Sequence, residues 1–384
     1  MPMNPLKIMI VAGEASGDMH GARLIAALKR KHPETRVCGV GGPALAAEGV
    51  EILYDAAELA VVGILEVISH FRFIREAMQA LERRLREDPP DLLVLIDYPD
   101  FNFILGKKAK KLGVPIFYYI SPQVWAWRSG RINTIRRLVD RMAVILPFEQ
   151  AFYRKFGMDV DFVGHPLMDA VRTGMSPAEF RKSHGIAEDS TVVGLLPGSR
   201  RKEIASMLPV FLEAAKILRG KMKNPVFLLP LAPTLCEEDL LANGLAGCDL
   251  PVRVVRENRY EVMASCQAVM AASGTVSLEL AILDVPMVIS YRVSPLTYFL
   301  GRRLIKVKYA SLVNLVAGRE VVPELLQHDA VPEKIAEATL SLASEGERRD
   351  AMLAGLTEVR QKLGGAGASA RVADLVLKTA RGVR

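Results

Sequence analysis

Residues 7–22 read KIMIVAGEASGDMHGA: an apolar run that breaks into a glycine-bearing loop and resumes as small residues of helical character. A buried strand, a tight turn and a helix start form the opening unit of a doubly wound α/β sheet, the place where many such folds hold a nucleotide phosphate. This loop also carries two acids, Glu14 and Asp18. They repel a diphosphate held against it unless the backbone amides dominate.

The same pattern recurs outward from this stretch. DLLVLID (91–97), PIFYYIS (115–121) and RMAVILP (141–147) are continuous apolar runs with helical segments between them. Such runs predict a parallel sheet covered on both faces. The signal weakens through PLMDAVRTGMSPAEFRKSHGIAEDS and restarts at TVVGLLP (191–197), followed by NPVFLLPLA, PVRVV, QAVMAAS and PMVISYR. The reading is two Rossmann-like domains, 1–175 and 176–345, with a boundary near 170–190. A helical extension follows over 346–384, broken at Gly364–Gly367 and expected to pack back on the first domain. Two such domains facing each other leave a cleft at the carboxyl ends of their strands, where ligands bind.

Composition sets the limits. The chain has 384 residues, half of them hydrophobic, and a net charge of +7, which suits a well-packed two-domain protein with anionic partners. Its four cysteines, Cys38, Cys236, Cys248 and Cys266, show no CxxC spacing and read as reduced thiols of a cytosolic protein. No uncharged apolar run approaches about eighteen residues, so no spanning helix is expected. The N-terminus reads as a strand rather than a signal peptide.

Two C-terminal motifs fit an anion. In QAVMAASGTVSLELAI (267–282) a strand ends at Ser273-Gly274-Thr275 before a helix, so free amides and the helix dipole favour a diphosphate, with Gly274 allowing close approach. Glu279, four residues beyond Thr275 and on the same helical face, is placed to accept from ribose hydroxyls. GLLPGSRRKEI (194–204) repeats the architecture, and Arg200, next to the Gly198-Ser199 turn, is placed to neutralise a departing diphosphate. The competing readings are a capped helix with a solvated Glu279 and a surface arginine pair.

On the other side, Asp97 ends an otherwise apolar strand, where partial burial raises a carboxylate toward the range of a general base. Asp100 reads as the N-cap of the following helix. SPQVWAWR (121–128) holds both tryptophans, which either stack on a sugar or base or pack the core.

VAGEASGDMHGA, GVGGPALAAEGVE, DYPDFNF, SPQVWAWR, LPFE, FVGHPL, LLPGSRRKEI, ASGTVSLELA and NLVAGREVVPELLQ, in that order over nearly the whole chain, closely resemble the lipid-A-disaccharide synthases, inverting glycosyltransferases of the GT-B fold. The resemblance implies condensation of UDP-2,3-diacylglucosamine with 2,3-diacylglucosamine 1-phosphate (lipid X), giving a β-1,6-linked disaccharide phosphate and UDP. It implies Asp97 as the catalytic aspartate and Arg200 as an arginine needed for activity. It also implies that Asn314, Arg319, Glu320 and Glu324 contribute to the UDP site, in dimers that exchange C-terminal helices. On this reading the opening loop is an acceptor-side lip, with Ser16 and Gly17 as close-approach surface and Glu14 or Asp18 on sugar hydroxyls. Ser121 and Trp125 belong to the same side.

No cofactor is expected, and no metal: a DxD motif is absent in the relevant context, and arginine with helix dipoles can stabilise the diphosphate. The stretch 59–88 is apolar at its start and basic later. Val61, Val62, Ile64, Leu65, Val67, Ile68 and Phe71 are candidates for lipid contact, with nearby arginines on anionic headgroups; the alternative is a helix buried against the sheet. YFLGRRLIKVKYASL (298–312) is a second candidate. The expected location is the cytoplasmic side of the inner membrane, bound peripherally. A rival enzyme on the same fold is a UDP-N-acetylglucosamine 2-epimerase; nucleic acid is not an expected partner, since the basic residues are dispersed.

Overall fold

The computed structural model describes residues 5–59, 67–127, 129–294, 298–299, 301 and 307–382. The chain divides into two compact units, Met1–Pro166 with Gly364–Arg384, and Leu167–Leu363. These limits differ from the boundary near 170–190 and the extension from 346 expected above. The polar stretch after Pro166 already belongs to the second unit, and helix Glu347–Lys362 buries Met352, Leu356 and Val359.

The first unit carries seven parallel strands: β1 (Lys7–Ala12), β2 (Arg36–Gly41), β3 (Glu51–Asp55), β4 (Leu92–Ile96), β5 (Ile116–Tyr119), β6 (Arg141–Val144) and β7 (Asp161–Phe162). Their order is β3-β2-β1-β4-β5-β6-β7. Side chains alternate between two apolar layers, as a period of two requires. Met9, Val11, Leu93, Leu95 and Tyr118 face a layer containing Leu81, Leu85 and Leu105. Ile8, Ile10, Ala12, Val94, Ile96, Phe117 and Tyr119 face Leu24, Ile25, Leu28, Val372 and Val376. Helix α1 (Ala15–Lys31) and the helix Ala368–Ala380 supply this second layer. Arg371 ties the returning helix down by donating Nε to the Val163 carbonyl at 2.8 Å.

The second unit repeats the plan with β8 (Thr191–Leu196), β9 (Pro225–Pro230), β10 (Val252–Val255), β11 (Ala268–Ala272), β12 (Met287–Tyr291) and β13 (Glu324–Leu326). The order is β10-β9-β8-β11-β12-β13. Val193, Leu195, Phe227 and Met270 pack on Met207, Leu208 and Phe211 of the helix Arg201–Arg219. In each sheet the winding reverses between two central strands, β1 and β4 in the first, β8 and β11 in the second. Ligands of doubly wound sheets bind outside the carboxyl ends at such a reversal.

Candidate active site

In the first unit Ala12 pairs with Ile96, so Gly13-Glu14 and Asp97-Tyr98 leave the sheet side by side at the reversal point. Asp97 and Tyr98 both adopt left-handed backbone, with φ of 42° and 44°, a region that L-residues enter at a cost and that collects at functional sites. The Tyr98 ring lies over Gly13, where any β-carbon would overlap it. The main chain of Asp97 is held from three directions. Its N–H donates to the Tyr119 carbonyl at 3.3 Å, and its carbonyl accepts from Tyr118 Oη at 2.5 Å and from Asn102 Nδ2 at 2.7 Å.

Burial, and after it the neighbouring Glu14 carboxylate, push Asp97 up to about 6, against a smaller opposing pull from the Tyr98 main-chain N–H. A carboxylate poised there is ionised at neutral pH yet basic enough to take a proton from a hydroxyl. Glu14 itself is exposed.

The other residues expected on this side lie partly at the surface and partly within the fold. Asp18 is buried, and its carboxylate accepts from the amides of Gly42 (2.7 Å), Ala44 (2.9 Å) and Leu45 (3.1 Å). It therefore caps the short helix Pro43–Ala47. Gly17 faces Ala12 and Ile96 and seats α1 on the strand ends, while Ser16 is exposed. Asp100 is not an N-cap: the helix Pro99–Lys111 begins after Tyr98, and Asp100 pairs with Arg131 at 2.5 Å.

Ser121 is buried, 2.6 Å from the Tyr153 hydroxyl. Trp125 is buried with its ring edge-on to Phe148 and its Nε1 donating to Glu149 Oε1 at 3.2 Å. Both support the loop after β5 from within. Trp127, in contrast, is exposed. Glu149 escaped the sequence reading because an acid at the third position of a helix looks like a simple cap. It does cap, accepting from the Leu146 amide at 2.9 Å, but burial also pushes it up to about 7.

In the second unit Leu196 pairs with Ala271, which brings Gly198-Ser199-Arg200 and Ser273-Gly274-Thr275 to one reversal point. The two loops differ in what they leave free. The amides of Ser199 and Arg200 donate to Glu203 Oε2 at 2.9 and 3.3 Å, so the expected backbone cradle at 198–200 is filled by the chain's own carboxylate. What this loop offers an anion is the guanidinium of Arg200, largely exposed with only a loose 3.8 Å pairing to Glu203 Oε1. At the second loop Ser273 Oγ donates to the Ala310 carbonyl at 3.0 Å. The amides of the exposed Gly274 and Thr275 have no acceptor among the described residues.

Glu279 is buried, ion-paired with Arg259, and accepts from Tyr260 Oη at 3.5 Å. Burial raises its pKa and Arg259 opposes this. The Asn314 side chain is saturated: Nδ2 donates to Val322 O and Glu324 Oε1, both at 2.8 Å, and Oδ1 accepts from the Val321 and Val322 amides. Glu324 also accepts from the amides of Ala310 and Ser311 at 2.8 and 2.9 Å. These two residues brace the segment that touches Ser273. Arg319 pairs with Glu358 at 2.6 Å, and Glu320 is exposed.

Val61, Val62, Ile64 and Leu65 lie outside the described residues, as do the side chains of Val67, Ile68 and Phe71 and most of 298–306. The described side chains of helix Val67–Glu87 bury Ala77, Met78, Leu81 and Leu85 and expose Arg75, Arg83 and Arg86. Among the described residues no helix is long and apolar enough to cross a membrane.

Known proteins place these motifs in context. The family model described as lipid-A-disaccharide synthetase matches residues 8–373. A lipid-A-disaccharide synthase of Geobacter metallireducens is 51% identical over 372 residues, 97% of each chain. One from Trichlorobacter lovleyi is 50% identical over 373 residues, again 97% of each. Among solved structures, the calicheamicin glycosyltransferase CalG4 superposes with a TM-score of 0.62 at 18% identity, covering 99% of both chains. A putative UDP-N-acetylglucosamine 2-epimerase from Listeria monocytogenes gives 0.65 at 14% identity, covering 99% of this chain and 98% of that one. At such identities these structures speak to the fold alone.

Proposed function

The chain belongs to the lipid-A-disaccharide synthetase family, and on that premise we propose that Asp97 is the general base and Arg200 the leaving-group cation of its reaction. The fold is GT-B, two Rossmann-like units. The activity is hexosyl transfer: UDP-2,3-diacylglucosamine and 2,3-diacylglucosamine 1-phosphate give the β-1,6-linked lipid A disaccharide 1-phosphate and UDP.

The Asp97 carboxylate takes the proton of the acceptor 6-hydroxyl as its oxygen attacks the donor anomeric carbon. The bond from that carbon to the diphosphate oxygen breaks, and UDP leaves with the electron pair. Displacement from the opposite face inverts the centre. Negative charge grows on the diphosphate as the bond breaks, and Arg200, with the amides of Gly274 and Thr275, is placed to offset it. The acceptor-side lip is Glu14, whose carboxylate suits acceptor hydroxyls and whose charge helps keep Asp97 basic.

The observation that carries this reading is the Asp97 carboxylate at the reversal of the first sheet, raised to about 6 by burial and Glu14. Mass spectrometry of the product formed from the two acylated substrates, by the wild-type chain and by Asp97→Ala, tests it. The wild type yields the disaccharide 1-phosphate and the variant does not; near wild-type yield from Asp97→Ala contradicts it.

The acylated substrates and the exposed arginines of helix Val67–Glu87 support peripheral attachment to the cytoplasmic face of the inner membrane. Flotation with anionic vesicles at low salt tests this, and a chain left unbound contradicts it. The resemblance further supports a homodimer with exchanged C-terminal helices. Helix Ala368–Ala380 follows a linker with left-handed Gly364 and Gly367, a joint that suits such an exchange; sedimentation at the monomer mass contradicts it.

A further inference from the structure

The main-chain carbonyl of Asp97 receives two side-chain donors from two different elements. Tyr118 reaches it from β5, and Asn102 from the first turns of the helix Pro99–Lys111. Asn102 is fully buried and also donates to the Ile96 carbonyl at 3.3 Å. Among the described residues its buried Oδ1 has no hydrogen-bond partner, an arrangement that costs stability. An apolar residue of the same shape would avoid that cost, so packing alone does not account for an amide here.

The local backbone shows what the two donors act on. Asp97 and Tyr98 are consecutive left-handed residues without glycine, and such a conformation persists only where surrounding contacts over-determine it. The Asp97 carbonyl belongs to the peptide that joins these two residues. Fixing its oxygen from two sides fixes the orientation of that peptide, and with it the direction in which the Asp97 side chain leaves the strand end.

We propose that Asn102 and Tyr118 are positioning residues for glycosyl transfer, a buried pair that clamps the Asp97 carbonyl and so sets the direction of its carboxylate. Neither touches the reacting atoms. The inference rests on the reading of Asp97 as the base. The clamp acts through alignment, and misplacing a reacting group by about 1 Å costs on the order of a hundredfold in rate.

The test compares full-length wild type, Asp97→Asn, Tyr118→Phe, Asn102→Leu and the Tyr118→Phe/Asn102→Leu double variant, using UDP-diacylglucosamine and lipid X. Tyr118→Phe keeps the buried ring, and Asn102→Leu keeps the side-chain shape while removing the unpartnered oxygen. Circular dichroism confirms folding, and Tyr118→Phe carries the test if Asn102→Leu fails to fold. The expected result is a kcat lowered about ten- to a hundredfold by each single change, with KM for both substrates within about threefold of wild type and a displaced acidic limb in the kcat profile. The double variant loses less than the product of the two, because both donors hold one atom.

If Asp97→Asn is inactive while the folded clamp variants keep wild-type kcat and pH profile, the positioning role is overturned and the base stands. Raised KM at unchanged kcat overturns it equally. Near wild-type turnover by Asp97→Asn overturns the base, and the clamp as a catalytic device with it.

Discussion

The ring of Tyr98 occupies the space that a β-carbon on Gly13 would need. Two loops from adjacent strands are thereby locked together at the point where the sheet reverses, one carrying Glu14 and the other Asp97. Gly13→Ala must displace the ring, which belongs to the residue next to Asp97. The expected outcome is a kcat lowered on the order of a hundredfold, with the far-ultraviolet spectrum unchanged; steady-state kinetics beside circular dichroism checks it, and wild-type kcat contradicts it.

Glu14 acts on Asp97 through its charge. Burial is the larger cause of the raised Asp97 pKa and the Glu14 carboxylate the second. The base works only when ionised, so kcat/KM is expected to fall as pH drops through about 6. Glu14→Gln removes a negative neighbour and makes ionisation of Asp97 easier, so the acidic limb moves to lower pH. The same variant raises KM for lipid X and leaves donor KM near wild type. An unmoved limb, or a rise in donor KM alone, counts against this arrangement.

Asp18 predicts the opposite kind of defect. Its three amide contacts hold the start of helix Pro43–Ala47, and losing them costs about 2 kcal/mol. Asp18→Ala is expected to lower the thermal midpoint by several degrees while both KM values stay near wild type. A stable Asp18→Ala with a raised lipid X KM would return this residue to the acceptor site.

This contrast shows where sequence reading works and where it stops. The central strands were legible because β4 and β11 are uninterrupted apolar runs buried on both faces. β2, β3, β7 and β13 are not legible, because their apolar signal is broken or very short: RVCGVG, EILYD, DF and ELL. At the site, an acid ending an apolar strand was visible at Asp97. The fate of Asp18 was not, because its partners lie 24 to 27 residues away, beyond the rest of α1 and all of β2, and spacing does not reveal which amide a carboxylate will meet. The bracing role of Asn314 is hidden for the same reason: its partners at 321–324 come close only once β13 is laid down beside β12.

In the second unit the amides beside Arg200 already serve Glu203, so the guanidinium is what the loop has left to offer the diphosphate in the proposed reaction. Arg200→Ala is expected to lower kcat on the order of a hundredfold or more, with a smaller change in donor KM. If arginine and amides take the electrostatic role, as proposed, full activity is expected in EDTA. An absolute requirement for added magnesium contradicts this.

The central claim is that the Asp97 carboxylate removes the acceptor proton. Asn tolerates left-handed backbone as Asp does, so Asp97→Asn takes away the charge and leaves the conformation. The decisive measurement is the initial rate at which this variant forms disaccharide 1-phosphate at saturating substrates, with product identity read by mass. A rate lower by about a thousandfold, within the usual reach of general-base catalysis, at unchanged KM for both substrates is predicted; a rate within about tenfold of wild type contradicts the account.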